Sequence, residues 1–326
     1  KSTVPLETGE SSLTTNIGSV QNAGIELGVN FGVIRNQNFT WDVNVAFARN
    51  WSKIKELPSG DDVSNNWFIG ERLNVLRDYT YAGVITADGV TMHTINGDKH
   101  YTLQEVYDKY GPKSPNKLKW YEGQMAVNDW NDDGKINDED KQIYGCTDPK
   151  WTGSLSSTMT YKGFDFSFML YTKQGQWSRS YFHEQYMDIS DRGRQKMSFD
   201  YYIPAGTPVL DKATGDITYL ETPHMGAYPY PNNYEKTGGG YFSKSSSGVR
   251  YQKTSFVKVK NITLGYTFPK KWMSKIAVKH LRLYVNVLNP FCFTGYDGFD
   301  PEWASANLTD GGPASVTYQI GANIKF

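Results

Sequence analysis

The chain has 326 residues, its 34 Lys and Arg are matched by 34 Asp and Glu, and its mean hydropathy is −0.58. A formal net charge of zero gives no reason to expect nucleic acid as a partner, and the lack of any run of about 18 apolar residues excludes a transmembrane helix. Aromatics nevertheless make up 15% of the chain, with 23 Tyr and 9 Trp. High aromatic content at low mean hydropathy suits strands with one wet and one apolar face, rimmed by Tyr and Trp.

Lys1 opens the chain without a charged-then-apolar signal segment, so a mature product or a fragment is expected. The first alternation places Ile25, Leu27, Val29, Phe31 and Val33 on one face, opposite Glu26, Gly28, Asn30 and Gly32. A polar turn at Asn36, Gln37 and Asn38 leads into Phe39, Trp41, Val43, Val45 and Phe47, which predicts a hairpin. Residues 67–80 and 117–127 are weaker strand candidates, and 100–110 has the composition of a short helix. A second hairpin joins Leu155, Ser157, Met159 and Tyr161 through Lys162 and Gly163 to Phe164, Phe166, Phe168 and Leu170. Ile262, Leu264, Tyr266 and Phe268 predict another strand, and Leu281, Leu283, Val285 and Val287 the next. Tyr318, Ile320, Ala322, Ile324 and Phe326 form the apolar face of the last, which ends on an aromatic residue. The total is about nine strands, each near the length a tilted strand needs to cross a bilayer.

Connections alternate in length. Residues 36–38 and 162–163 are tight and 269–275 moderate, whereas 53–66, 128–151, 176–252 and 290–314 are long and rich in Gly, Pro, Asn and Asp. Short turns on one rim and long loops on the other match a transmembrane barrel, with the last strand running inward and residues 1–21 outside. Residues 81–116 conflict with this map, because the count makes them a periplasmic turn and they are far too long for one. Either a strand is miscounted there or a hairpin is hidden.

Residues 129–140 carry the clearest chemistry. Asp129, Asn131 and Asp133 stand at positions 1, 3 and 5 of a calcium-loop template, with Gly134 at 6, the Lys135 carbonyl at 7, Asn137 at 9 and Asp140 at 12. A hard cation wants six to eight oxygens, and Gly134 permits the turn that gathers them. Asp140 replaces the longer Glu, and no helices of period 3.6 flank the loop, so a structural calcium site is expected rather than a paired sensor. An ion-free acidic turn is the plainer reading of the same residues.

Nothing else reads as catalytic. His93, His100, His183, His224 and His280 lack metal-ligand spacing and are expected as single exposed or lumenal side chains. Gly238, Gly239 and Gly240 form a flexible turn, because no helix start with Lys-Ser/Thr follows. Asp191 and Glu184, near Trp177 and Tyr181, are the nearest approach to a glycosidase pair, in a chain where acids are everywhere. Cys146 and Cys292 are far apart and either pair or stay free.

Several segments together resemble the C-terminal barrel region of SusC/RagA-type TonB-dependent outer-membrane transporters of Bacteroidetes-like bacteria. They are Asn16-Ile17-Gly18 through Asn22-Ala23-Gly24 to Leu27; Asn131 to Ile136 with Gly145 and Pro149; residues 259–269; Leu281-Arg282-Leu283-Tyr284 through Asn289; Thr294-Gly295-Tyr296 with Gly298 and Asp300-Pro301-Glu302; and the terminal strand. They occur in family order over most of the chain.

The resemblance implies an all-β fold: residues 1–326 as the C-terminal part of an antiparallel barrel of about 22 strands. It implies a plug domain and N-terminal strands beyond this chain, TonB coupling through that missing part, and a SusD-like lipoprotein lid over the loops. The implied activity is uptake of oligosaccharides or peptides across the outer membrane, without catalysis. The long loops, with Trp177, Tyr181, Tyr228 and Tyr230, would meet lid and substrate, unless those aromatics pack the loops. The alternative is a soluble, calcium-stabilised carbohydrate-binding β-sandwich, whose apolar strand faces would be buried against a second sheet.

Overall fold

The computed structural model describes residues 18–110, 122–186, 200–230, 250–306 and 312–326, with the paired dipeptides 2–3 and 12–13. Seven strands make one antiparallel sheet: β1 (Ser19–Arg35), β2 (Phe39–Glu56), β3 (Trp151–Tyr161), β4 (Phe164–Gln174), β5 (Phe256–Thr267), β6 (His280–Thr294) and β7 (Thr317–Lys325). They pair in chain order as an up-and-down meander, with β1 and β7 at the edges.

Register turns the sequence alternation into two surfaces. One row runs Trp41, Met159, Phe166, Leu264, Val285, Ile320 across β2 to β7, each opposite the next. A parallel row on the other face runs Asp42, Thr158, Ser167, Thr263, Asn286, Gln319. That polar face ties itself together, with Asn286 accepting from Thr263 at 2.9 Å and donating to Gln319 at 3.0 Å. The apolar face is bare: Ile25 is 59% exposed, Tyr318 76% and Ile320 86%. A sandwich would cover these side chains with a second sheet, whereas a bilayer-spanning wall presents them to acyl chains. At the short-turn rim the apolar row becomes aromatic, with Phe39 opposite Tyr161, Tyr161 opposite Phe164, and Phe164 opposite Tyr266. Such a girdle places aromatic rings at the interface, with the amphipathic Tyr161 and Tyr266 among them. The fold is therefore a partial antiparallel barrel wall.

The turn residues explain the tight rim. Lys162 and Gly163 both have positive φ, 45° and 92°, the two-residue hairpin geometry that matches strand twist. The rims alternate strictly: connections 36–38, 162–163 and 268–279 lie on one, and 57–150, 175–255 and 295–316 on the other.

Among the described residues the expected count of about nine is corrected to seven wall strands, because the described parts of both weaker candidates pair outside the sheet. Within 67–80 only Val75–Tyr79 is a strand, and it pairs with Lys141–Cys146. Within 117–127 only Met125–Val127 is, pairing with Tyr81–Val84, while 111–121 lie outside the described residues. The troublesome stretch 81–116 does hide a hairpin, Val90–Thr94 with Gly97–Tyr101, followed by a helix, Leu103–Tyr110. All of it belongs to one long connection between β2 and β3, so no periplasmic turn has to hold it. That connection has its own core of Ile85, Val90, Met92, Val106, Tyr110, Ala126 and Val127, with Ile136 packed against it.

Candidate functional site

The acidic loop begins where this small core ends. Val127 is buried, and Asp129 follows with no exposure. Asp129 Oδ2 accepts from the Gly134 N–H at 2.9 Å and the Tyr110 hydroxyl at 2.7 Å. Gly134 sits at φ +85°, a left-handed conformation open to it because it has no Cβ, and this lets the loop fold back. Asn131 Oδ1 accepts from Asp133 N–H at 3.1 Å, and Asp133 Oδ1 from Lys135 N–H at 2.8 Å. Asn137 caps the short turn Asp138–Asp140, and Asp140 answers by accepting from Asn137 N–H at 2.8 Å and Asn131 N–H at 3.3 Å.

Two features bear on a cation. Asp129 Oδ1 is buried without a hydrogen-bond partner, a costly state for a carboxylate oxygen unless something positive meets it. Asp140 is also buried, and burial raises its pKa against opposing hydrogen bonds from the loop backbone. Among the described residues no three His, Cys, Asp or Glu side chains converge closely enough to hold a metal by themselves. A calcium loop also relies on amide and backbone oxygens, here Asn131, Asn137 and the Lys135 carbonyl. Lys109 supplies local positive charge, its Nζ 3.5 Å from Asp129 Oδ2 and over the rings of Tyr101 and Tyr110.

The second cluster was missed by sequence spacing. His183 is fully buried, which corrects its expected exposed or lumenal placement. Its Nδ1 lies 2.7 Å from Ser180 Oγ and its Nε2 2.6 Å from Asp297 Oδ1. Ser180 also meets the Tyr296 hydroxyl at 2.6 Å, and Tyr228 donates to Asp297. The cluster joins three loop segments separated by up to 116 residues, so no local pattern announces it. Ser180 is buried with no exposure, so this Ser-His-Asp contact presents no nucleophile to a substrate. The other His differ: His93 bonds Asp98 and His224 bonds Asp200, both at 2.6 Å, His100 meets Thr91, and His280 is exposed.

The loop aromatics pack. Trp177 covers Gly145 and stacks edge-on with Tyr144 at 5.7 Å. Tyr228 lies over His183, Tyr230 lies against Gly123, and Tyr181 carries Arg179 over its ring. Cys146 and Cys292 are free thiols, the first buried and the second exposed. Asp191, the Glu184 side chain and Gly238 to Gly240 lie outside the described residues.

No family model matches the chain. TonB-dependent receptor P39 of Formosa agariphila is 30% identical over 99% of the chain, which covers 32% of that relative. TonB-dependent receptor SusC of Bacteroides thetaiotaomicron is 28% identical over 99% of the chain and 28% of its own length. The chain thus spans about a third of the length of the curated relatives it matches. Among solved structures, a RagAB peptide transporter superposes with a TM-score of 0.63 at 17% identity, over 99% of this chain and 31% of that one. At that identity the structural match speaks for the fold alone. The sequence relatives bear out the resemblance to SusC/RagA-type receptors.

Proposed function

On the premise of a SusC/RagA-type TonB-dependent receptor segment, we propose that residues 1–326 are the C-terminal part of the barrel of an outer-membrane nutrient transporter. The observation that carries this is the seven-strand meander with one bare apolar face, one polar face and strictly alternating rims. A wall of that kind hydrogen-bonds its own backbone, faces lipid on one side and a wet lumen on the other. The plug, the remaining strands and the contact with TonB belong to the rest of the protein. A SusD-like lipoprotein covers the loop rim, and the cargo is oligosaccharide or peptide. Its work is passage rather than bond cleavage, in keeping with relatives named receptors.

Calcium has a structural place in this reading. Asp129, Asn131, Asp133, the Lys135 carbonyl, Asn137 and Asp140 would hold it, and the partnerless Asp129 Oδ1 supports the assignment. Bound there, it would offset two buried carboxylates and fix the loop onto the small core beside it.

Denaturing mass spectrometry of the detergent-extracted native complex tests the reading. A plug and further strands, on the same or a second polypeptide in equal amount, are expected. The chain found alone, monodisperse and soluble without detergent, would overturn it.

A further inference from the structure

A groove of about 610 Å³ opens at the loop rim beside β2. Ala48 is the last β2 residue paired with β3, opposite Thr152. Further along, Ile54 donates to the Glu71 carbonyl and accepts from the Gly70 N–H, both at 2.9 Å. Backbone groups of a strand alternate sides, so Asn50 and Ser52 point the same way as Ile54. Between those two anchors, among the described residues, β2 has no strand partner on that side. The N–H and C=O groups of Asn50 and Ser52 therefore face the groove.

The groove is a notch in the plane of the sheet, since side chains of both faces line it. Asn22, Asn50, Ser52 and Thr152 rim its polar side, while Trp51 and Trp151, 44% and 37% exposed, rim the apolar side. Arg72 closes the far wall. Its guanidinium donates to the carbonyls of Asp148 at 3.1 Å and Pro149 at 3.3 Å, and its Nε is buried without a partner.

We propose that this notch binds an extended peptide by strand addition, the ligand backbone pairing with Asn50 and Ser52. Two residues along a strand are about 6.8 Å apart, the repeat of alternate residues in another extended chain. A saccharide has hydroxyls but no such alternating N–H and C=O ladder. Main-chain pairing gives affinity without choosing side chains, so the site accepts many sequences. The Trp pair shields the ladder on one side and polar side chains admit the ligand from the other. This rests on the transport reading and names peptide as the cargo at this position.

The test uses the complete transporter complex in detergent, with a fluorescein-labelled random hexapeptide mixture and, in parallel, labelled maltohexaose. Ser52→Pro removes one notch N–H while leaving the β1 side of the ladder intact, and Thr152→Trp crowds the notch from the β3 side while leaving the β2 sequence unchanged. Retained heat-modifiable gel mobility certifies assembly of each variant. Peptide binding to the unmodified complex, weakened at least tenfold by both variants, is the expected result. Peptide affinity unchanged in both overturns the proposal. Binding of maltohexaose in place of peptide, lost in the variants, overturns the peptide assignment and leaves transport standing. Failure of intact cells to import either ligand overturns the transport reading itself.

Discussion

Arg282 on β6 reaches across β5 to Asp165 on β4, with Nε 2.9 Å from Oδ1 and Nη2 2.6 Å from Oδ2. Gly265 lies beneath the pair, and a Cβ there would stand 2.6 Å from Arg282 Nη2 and from Asp165 Oδ1. A bidentate ion pair bridging two strands over a third needs a residue without a side chain between them. Gly265→Val is expected to cost about 1–3 kcal/mol through overpacking and loss of the pair. Gly28→Val, where nothing lies within 4 Å, is expected to leave stability unchanged. The temperature at which the barrel loses its folded gel mobility measures both, and equal shifts would count against this account.

On the apolar face, Trp41 Nε1 donates to Ser157 Oγ at 3.0 Å, and Ser157 is 3% exposed. In a lipid-facing wall no water replaces that bond. Ser157→Ala is expected to destabilise by about 1–3 kcal/mol, because the indole N–H loses its acceptor. Trp41→Phe in the same chain should recover part of the loss. A double-mutant cycle on the unfolding midpoint checks it, and strict additivity would show that the bond carries no stability.

Cation removal should act locally. With chelator, limited proteolysis is expected to cut within 57–150 well before the strands, and Asp129→Asn should cut at that faster rate with or without added calcium. Asp140 must be ionised to serve as ligand, and burial raises its pKa. Calcium affinity, followed by titration calorimetry, should therefore weaken as pH falls through that raised value. Proteolysis indifferent to calcium would leave the ion-free acidic turn as the account of this loop.

The His183–Asp297 cluster is also weakened by acid, but through a carboxyl whose pKa is lowered rather than raised. Burial pushes the Asp297 pKa up, but hydrogen bonds from His183 and Tyr228 prevail and hold the carboxyl below its ordinary range. A depressed carboxylate contributes stability above its unfolded pKa, about 3.9, and loses it as pH falls through the folded value. Hydrogen exchange in residues 177–183 and 295–304 should accelerate below about pH 4, and Asp297→Asn should flatten that profile.

The sequence by itself determined the wall. Faces on β2, β4, β7 and on β1 as far as Gly32 were legible because a strand alternates sides residue by residue, so a short local stretch carries its own orientation. Lys162-Gly163 announced its turn for the same local reason. On β1 a register shift after Gly32 sets Ile34, in place of Val33, opposite Trp41. β5 was only half legible: alternation reads from Ile262, yet the strand starts at Phe256. The register shifts past Lys260, so Val257 and Val259 return to the apolar face with odd numbers while Ile262 and Leu264 hold it with even ones. A bulge inverts parity, and no pattern of period two survives it.

Of the candidate site, the order of oxygen donors from Asp129 to Asp140 was local and therefore readable. The tertiary structure alone decided that Tyr110 and Lys109 lean on Asp129, that Val75–Tyr79 pairs with Lys141–Cys146, and that His183 meets Asp297. It also decided that β2 outruns β3 and leaves the notch at Asn50 and Ser52. These contacts join short pieces far apart in the chain. Their energy comes from burial and partner choice after the sheet has formed, and local sequence does not encode which distant partner will arrive.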